Sequence, residues 1–188
     1  MTAWRWLERV LWILGIACLG WAGATWAEAS RFQRQQSRVL EEQSIALHVA
    51  SAPDRDTTDP SAPIGRLDIP RLGVSVVVMP GDDDVTLSKA VGHLPDTPLP
   101  WTGGNTALAG HRDTFFRPLE RVKPGDEIYL DTARGRFQYR VSRTVVVEPE
   151  ELWVLDSSMN PTLTLITCYP FKYVGPAPKR FVVQADRV

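Results

Sequence analysis

The apolar positions divide the chain into three unlike regions. Residues 10–27 (VLWILGIACLGWAGATWA) pass without a charge. As a helix they would span about 27 Å, just enough for a hydrocarbon core of about 30 Å. Trp4, Trp6, Trp21 and Trp26 lie at or near the ends of this run, where indole rings favour the boundary of lipid and water. Residues 28–50 are polar and rich in helix formers, which predicts a stalk helix. Residues 51–63 (SAPDRDTTDPSAP) combine three prolines with small and acidic residues and read as a linker. From residue 64 onward the pattern changes to short apolar or alternating runs, IGRLDIPRL, SVVVM, NTALAG, EIYLDT, RFQYRVSRTVVVE, TLTLIT and RFVVQA, separated by GG, PGD, ARG and PAP turns. About eight strands with one or two short helices, the clearest at DDVTLSKA, predict a small mixed or closed antiparallel sheet.

The expected organisation is therefore a short cytoplasmic head at 1–9, a transmembrane signal-anchor helix at 10–27, a stalk at 28–50, a linker at 51–63 and a mainly β domain at 64–188. Ala27-Glu28-Ala29 has the small-x-small form of a cleavage site, but the apolar run exceeds the 7–15 residues of a signal-peptide core, which favours an uncleaved anchor. Arg5 and Arg9 precede the run and Arg31, Arg34 and Arg38 follow it, so counting basic residues does not orient it; the short head favours the N-terminus inside. Either way the bulk of the chain is expected to be exported; the uncleaved anchor places the domain on the extracytoplasmic side of the plasma (inner) membrane, in a single-pass arrangement.

Charge narrows the partners. The 188 residues hold 21 Lys+Arg against 22 Asp+Glu, with no basic run to follow a phosphate backbone, so nucleic acid is not an expected partner. Membrane lipid, through residues 10–27, is.

Two cysteines occur, Cys18 inside the apolar run and Cys168 at the end of LTLITC, so the exported part cannot form an internal disulfide. A free thiol outside the cytoplasm is open to oxidation, which argues that Cys168 is used; the alternative is a small buried hydrophobe at a strand end. A nucleophilic thiol needs a proton acceptor or a cation close by. His111 follows the apolar run NTALAG at its rim, the position of a residue free to titrate, or of a loop histidine bonded to local backbone. Arg180 opens RFVV, with eleven residues between it and Cys168. If these two strands pair antiparallel, thiol and guanidinium become neighbours at one edge; otherwise Arg180 merely caps a strand edge. Lys179 beside it reads as solvated. Cys168, His111 and His93 lack the close spacing that nucleates a zinc site, and Asp82, Asp83 and Asp84 lack the alternation of a calcium loop, so no metal and no cofactor is expected. His93, in GHLP, reads as a structural residue in a turn.

These residues resemble a known family. Thr164-Leu165-Ile166-Thr167-Cys168 is similar to the TLxTC signature of the sortases, the membrane-anchored cysteine transpeptidases of bacterial surfaces. Ala109-Gly110-His111 is similar to their catalytic histidine segment, and Arg180 to the arginine that opens their last strand. The wording GHRDTFF and TLITCYPFKYVGPAPKRFVV looks most like class D sortases and the related single sortases of Gram-negative bacteria. The resemblance implies an eight-stranded sortase-type β-barrel. It makes Cys168 the nucleophile on the threonine carbonyl of a Leu-Pro-x-Thr-type sorting signal, His111 the proton donor and acceptor, and Arg180 the holder of substrate backbone and oxyanion. Ala109 and Thr167 flank these positions as candidate substrate-binding residues of the peptide groove. The implied partners are substrate proteins bearing a C-terminal sorting signal and an amine acceptor of the cell envelope. A hydrolase releasing surface proteins is the alternative of the same chemistry, and an anchored binding module with an inert Cys168 is the alternative of a different class. The lid of pilin-polymerising members, Asp-Pro followed by an aromatic residue, has no match, since Ser61 follows Asp59-Pro60.

Overall fold

In the computed structural model, the residues described are 62–173 and 175–188, together with Trp6, Trp12, Leu14 and Ile16. Eight strands close into a barrel: β1 (Gly65–Ile69), β2 (Val74–Pro80), β3 (Val91–His93), β4 (Asn105–Ala109), β5 (Glu127–Thr132), β6 (Gly135–Val147), β7 (Thr162–Tyr169) and β8 (Lys179–Arg187). Their order around the barrel is β1-β2-β3-β4-β7-β8-β6-β5, with β5 returning to β1. The closed sheet is mixed: β2/β3 and β4/β7 run parallel and the other pairs antiparallel. Closure leaves no open edge for another chain to pair with.

Local sequence accounts for the breaks. Pro70 stops β1, a single 3-10 turn (Pro70–Leu72) follows, and Gly73 at φ 66° reverses the chain into β2, a conformation that costs glycine little. The helix expected at DDVTLSKA is one turn, α1 (Asp84–Leu87), capped by Asp83, whose carboxylate accepts from the Val85 and Thr86 amides at 3.0 and 3.1 Å. RFQYRVSRTVVVE forms one 13-residue strand, with a register shift between Val141 and Arg143 that lets a long strand bend around the barrel. Only three residues long, β3 has no periodicity to betray it, and His93 belongs to its end rather than to a turn.

The interior is filled by alternate residues of the strands, including Leu67, Ile69, Val76, Val78, Leu108, Leu130, Tyr139, Leu163, Leu165 and Val183, and by Phe116 and Leu119 from the β4–β5 connection. In β7 the first four residues are all buried, because a second small cluster of Val147, Val154 and Val182 covers the opposite side. Both faces of this strand are therefore covered, although Thr and Leu alternate along it. The segment between β6 and β7 that supplies Val154 is fastened by buried amides: Asn105 Nδ2 and Gln184 Nε2 donate to the Val154 carbonyl at 3.0 and 3.2 Å, and the Thr164 hydroxyl donates to Asn105 Oδ1 at 2.6 Å. Among the described residues no helix is long and apolar enough to cross a membrane. The expected anchor, stalk and linker otherwise fall outside the described residues; Trp12, Leu14 and Ile16 are helical with exposed side chains.

Candidate active site

The site is assembled by strand pairing at one rim of the barrel. β7 and β8 pair antiparallel with Cys168 directly opposite Arg180, as expected from a hairpin joined by the intervening loop. Neighbouring strands lie about 4.8 Å apart, so the two side chains rise side by side. β4 pairs parallel with β7 on its other side, from Asn105↔Thr162 to Ala109↔Ile166. The pairing continues one residue past β4, where the Gly110 amide donates to the Ile166 carbonyl at 3.1 Å and the Thr167 hydroxyl donates to the Gly110 carbonyl at 2.7 Å. Gly110, the residue leading to His111, is thus tied through its amide and its carbonyl to the two residues that lead to Cys168. Sulfur, imidazole and guanidinium reach the same rim from β7, the end of β4 and β8.

Exposure fits a reactive site. Cys168, His111 and Arg180 are each half-buried, and Cys168 is a free thiol. Neither the thiol nor the His111 ring is hydrogen-bonded to a described residue. Arg180 directs Nη1 to the carbonyls of Ala177 and Lys179 at 3.2 and 3.1 Å, and its other N–H groups make no bond to the described residues. Lys179 is paired with Glu148 at 2.9 Å at the surface. Tyr169, Phe171 and Phe181 alternate with the site residues and pack together, with Phe171 and Phe181 5.2 Å apart edge to face and Tyr169 and Phe181 stacked at 6.2 Å. These rings brace the ends of β7 and β8.

Behind His111 the turn is tight. The His111 carbonyl accepts from the Phe116 amide at 3.1 Å, and the fully buried Phe116 ring lies so close to Gly110 that a methyl there would stand 2.8 Å from it. The groove residues expected from the sequence divide. Ala109 is partly exposed at the end of β4, whereas Thr167 is 2% exposed, with its hydroxyl held by Gly110; that side chain lies beneath the rim and couples β4 to β7. His93 stands apart, its Nε2 3.3 Å from both the Pro98 carbonyl and the Thr97 hydroxyl, and burial pulls its pKa below the ordinary value. Among the described residues no group of three His, Cys, Asp or Glu side chains gathers to hold a metal ion.

Two residues at the site, both within GHRDTFF, are given no role of their own by the sequence. Phe116 reads as an ordinary loop aromatic, and Arg112 as one polar member of GHRDT. The structure buries both.

The comparisons agree with the geometry. The Sortase domain family model matches residues 67–188, which takes in all three site residues, and the chain belongs to the sortase family. It is 37% identical over 125 residues to Sortase D of Bacillus subtilis, a match covering 66% of this chain and 63% of that relative. With Sortase A of Listeria monocytogenes it shares 32% over 114 residues, 58% of this chain and 51% of the relative. The chain thus spans less than two thirds of either relative. The solved structure of a Clostridium perfringens Sortase D5 transpeptidase superposes with a TM-score of 0.67 at 25% identity, covering 85% of this chain and 97% of that one.

Proposed function

We propose that this chain is a membrane-anchored cysteine transpeptidase that cleaves a Leu-Pro-x-Thr-type sorting signal and joins the released carboxyl end to an amine of the cell envelope. The observation that carries this reading is the pairing of Cys168 with Arg180 on adjacent strands, beside a β4 end that delivers His111. Attack of the Cys168 sulfur, whose proton passes to His111, on the threonine carbonyl forms a C–S bond. The carbonyl oxygen takes up the negative charge, and the N–H groups of Arg180 that bond to no described residue stand ready to receive it. Collapse breaks the C–N bond while His111 gives a proton to the departing amine. The thioester then meets an incoming amine, His111 takes the proton this amine loses, and expulsion of the Cys168 sulfur leaves a new amide.

The anchored placement rests on the uncharged run at 10–27 and on the exposed apolar side chains of the helical residues Trp12, Leu14 and Ile16, which suit lipid better than water. It puts the barrel outside the cytoplasm, within reach of exported proteins and envelope amines. A Leu-Pro-x-Thr peptide pool with the third position randomised, incubated with and without glycine peptides as amine, tests the reaction. Cleavage with preferential formation of the amide adduct is expected, and Cys168→Ala is expected to abolish both. Formation of the free acid alone in the presence of amine would identify a hydrolase instead, and turnover by Cys168→Ala would remove the nucleophile.

A further inference from the structure

Arg112 is the one buried arginine among the described residues, at 7% exposure, and it directly follows His111. Its Nη1 donates to the Pro170 carbonyl at 2.9 Å, and its Nη2 to the carbonyls of Tyr173 and Gly175 at 2.7 and 3.2 Å. The Tyr173 ring lies 5.8 Å from the guanidinium carbon. Among the described residues the only carboxylate paired with it is Asp113, 3.5 Å from Nε and 66% exposed. Such a solvated partner does little for a buried cation, so the charge is held chiefly by the dipoles of three loop carbonyls. Pro170 lies two residues beyond Cys168, and the loop that holds all three carbonyls ends at Lys179, next to Arg180.

A buried charge is a poor way to gain stability alone, since a hydrophobic side chain of similar volume commonly does as well. What a guanidinium adds is geometry: its planar fork fixes several acceptors at set directions at once. Here the fork spans from the backbone beside His111 to the loop that leaves Cys168 and delivers Arg180. The Thr167 to Gly110 bond ties β7 to the end of β4, and Arg112 ties the segment just past β4 to the loop just past β7.

We propose that Arg112 is a positioning residue for acyl transfer, which sets the spacing between His111 and the Cys168–Arg180 pair by clamping the β7–β8 loop. This inference rests on the transpeptidase reading. A displacement of about 1 Å at a reacting group can cost on the order of 100-fold in rate, so loosening the clamp acts on the chemical step more than on peptide capture.

The test uses the full chain in detergent, comparing wild type, Arg112→Gln and Arg112→Lys with the randomised Leu-Pro-x-Thr pool. The readouts are kcat and KM per folded molecule, the folded fraction being taken from thermal unfolding, and alkylation of Cys168 by iodoacetamide resolved by peptide so that Cys18 is not counted. For Arg112→Gln, kcat should fall on the order of 100-fold with KM within about threefold, while Cys168 is still alkylated. Arg112→Lys keeps the charge without the fork and should recover part of the loss, remaining on the order of 10-fold below wild type. If the glutamine variant does not fold, the lysine variant decides by its own threshold. Values of kcat per folded molecule within about twofold of wild type in the folded variants would overturn the inference while leaving the transpeptidase reading intact. A wild-type chain without turnover would sink that reading and the inference with it.

Discussion

Gly110 is the position at which the smallest change should have the largest local effect. An added Cβ would stand 2.8 Å from Phe116 Cδ2 and 3.0 Å from two further ring atoms, well inside ordinary van der Waals contact. The ring cannot swing away freely, because Phe116 is fully buried within the main core. The backbone cannot yield freely either, since the Gly110 amide and carbonyl are bonded to Ile166 and Thr167. Overpacking of this kind costs about 1–3 kcal/mol, offset by about 0.4–1 kcal/mol because alanine restricts the unfolded chain. Gly110→Ala is therefore expected to lose about 1–2 kcal/mol by urea unfolding. Because the strain is relieved in part by moving the peptide that carries His111, kcat should fall by much more than the folded fraction does, on the order of 10–100-fold. The control is Gly110→Ala combined with Phe116→Leu, compared with Phe116→Leu alone: with the ring gone, the added methyl should cost less in both stability and rate. Wild-type stability and turnover in Gly110→Ala, or no relief in the double variant, would refute the collision as the cause.

Four other expectations follow from the same contacts. Thr167→Val keeps the shape but leaves the buried Gly110 carbonyl without its hydroxyl donor, and should cost about 1–3 kcal/mol in denaturant unfolding. Arg180→Lys keeps a charge opposite Cys168 but loses the planar fork, so most activity on the peptide pool should disappear; near-normal kinetics would remove Arg180 from the site. Gly92→Ala would bring a Cβ to 2.1 Å from the Gly81 carbonyl oxygen, backbone against backbone, and should cost about 3 kcal/mol or more, visible as a large drop in Tm. Asp126 has its pKa held below the ordinary carboxylate value, first by hydrogen bonding from Arg71, and its stabilising contribution is present above the unfolded value of about 3.9 and lost as pH falls through the lower folded one. Asp126→Asn should flatten that acid limb in unfolding measured from pH 5 downward, and an unchanged limb would remove the Arg71 pair from the account.

How much of this is written in the linear chain depends on the range of the contact. The Cys168–Arg180 pairing was legible because it is local: two apolar runs flank one loop, and a hairpin is the simplest way to join them. His111 lies 57 residues from Cys168, and its placement depends on a parallel β4/β7 pairing that neither periodicity nor turn chemistry announces; the family motif supplied what the pattern could not. β3 is too short to register, so His93 reads as a turn residue although its ring is buried and bonded to Thr97 and Pro98. Arg112 illustrates the same limit at the site itself. In GHRDT it sits among polar neighbours and looks solvated, because the carbonyls that receive it belong to residues 170–175 and backbone acceptors carry no residue code. Thr167 was legible as a neighbour of the nucleophile but not in its orientation, which the buried Gly110 contact decides.

The order of strands around the barrel also governs when the site can be complete. Arg180 arrives on the strand synthesised last of the eight, and that strand must slot between β7 and β6 to shut the cylinder. A nascent or partly threaded polypeptide, however much of it has condensed, therefore carries a sulfur without its cationic companion. The three groups can therefore stand together only once that final seam has closed.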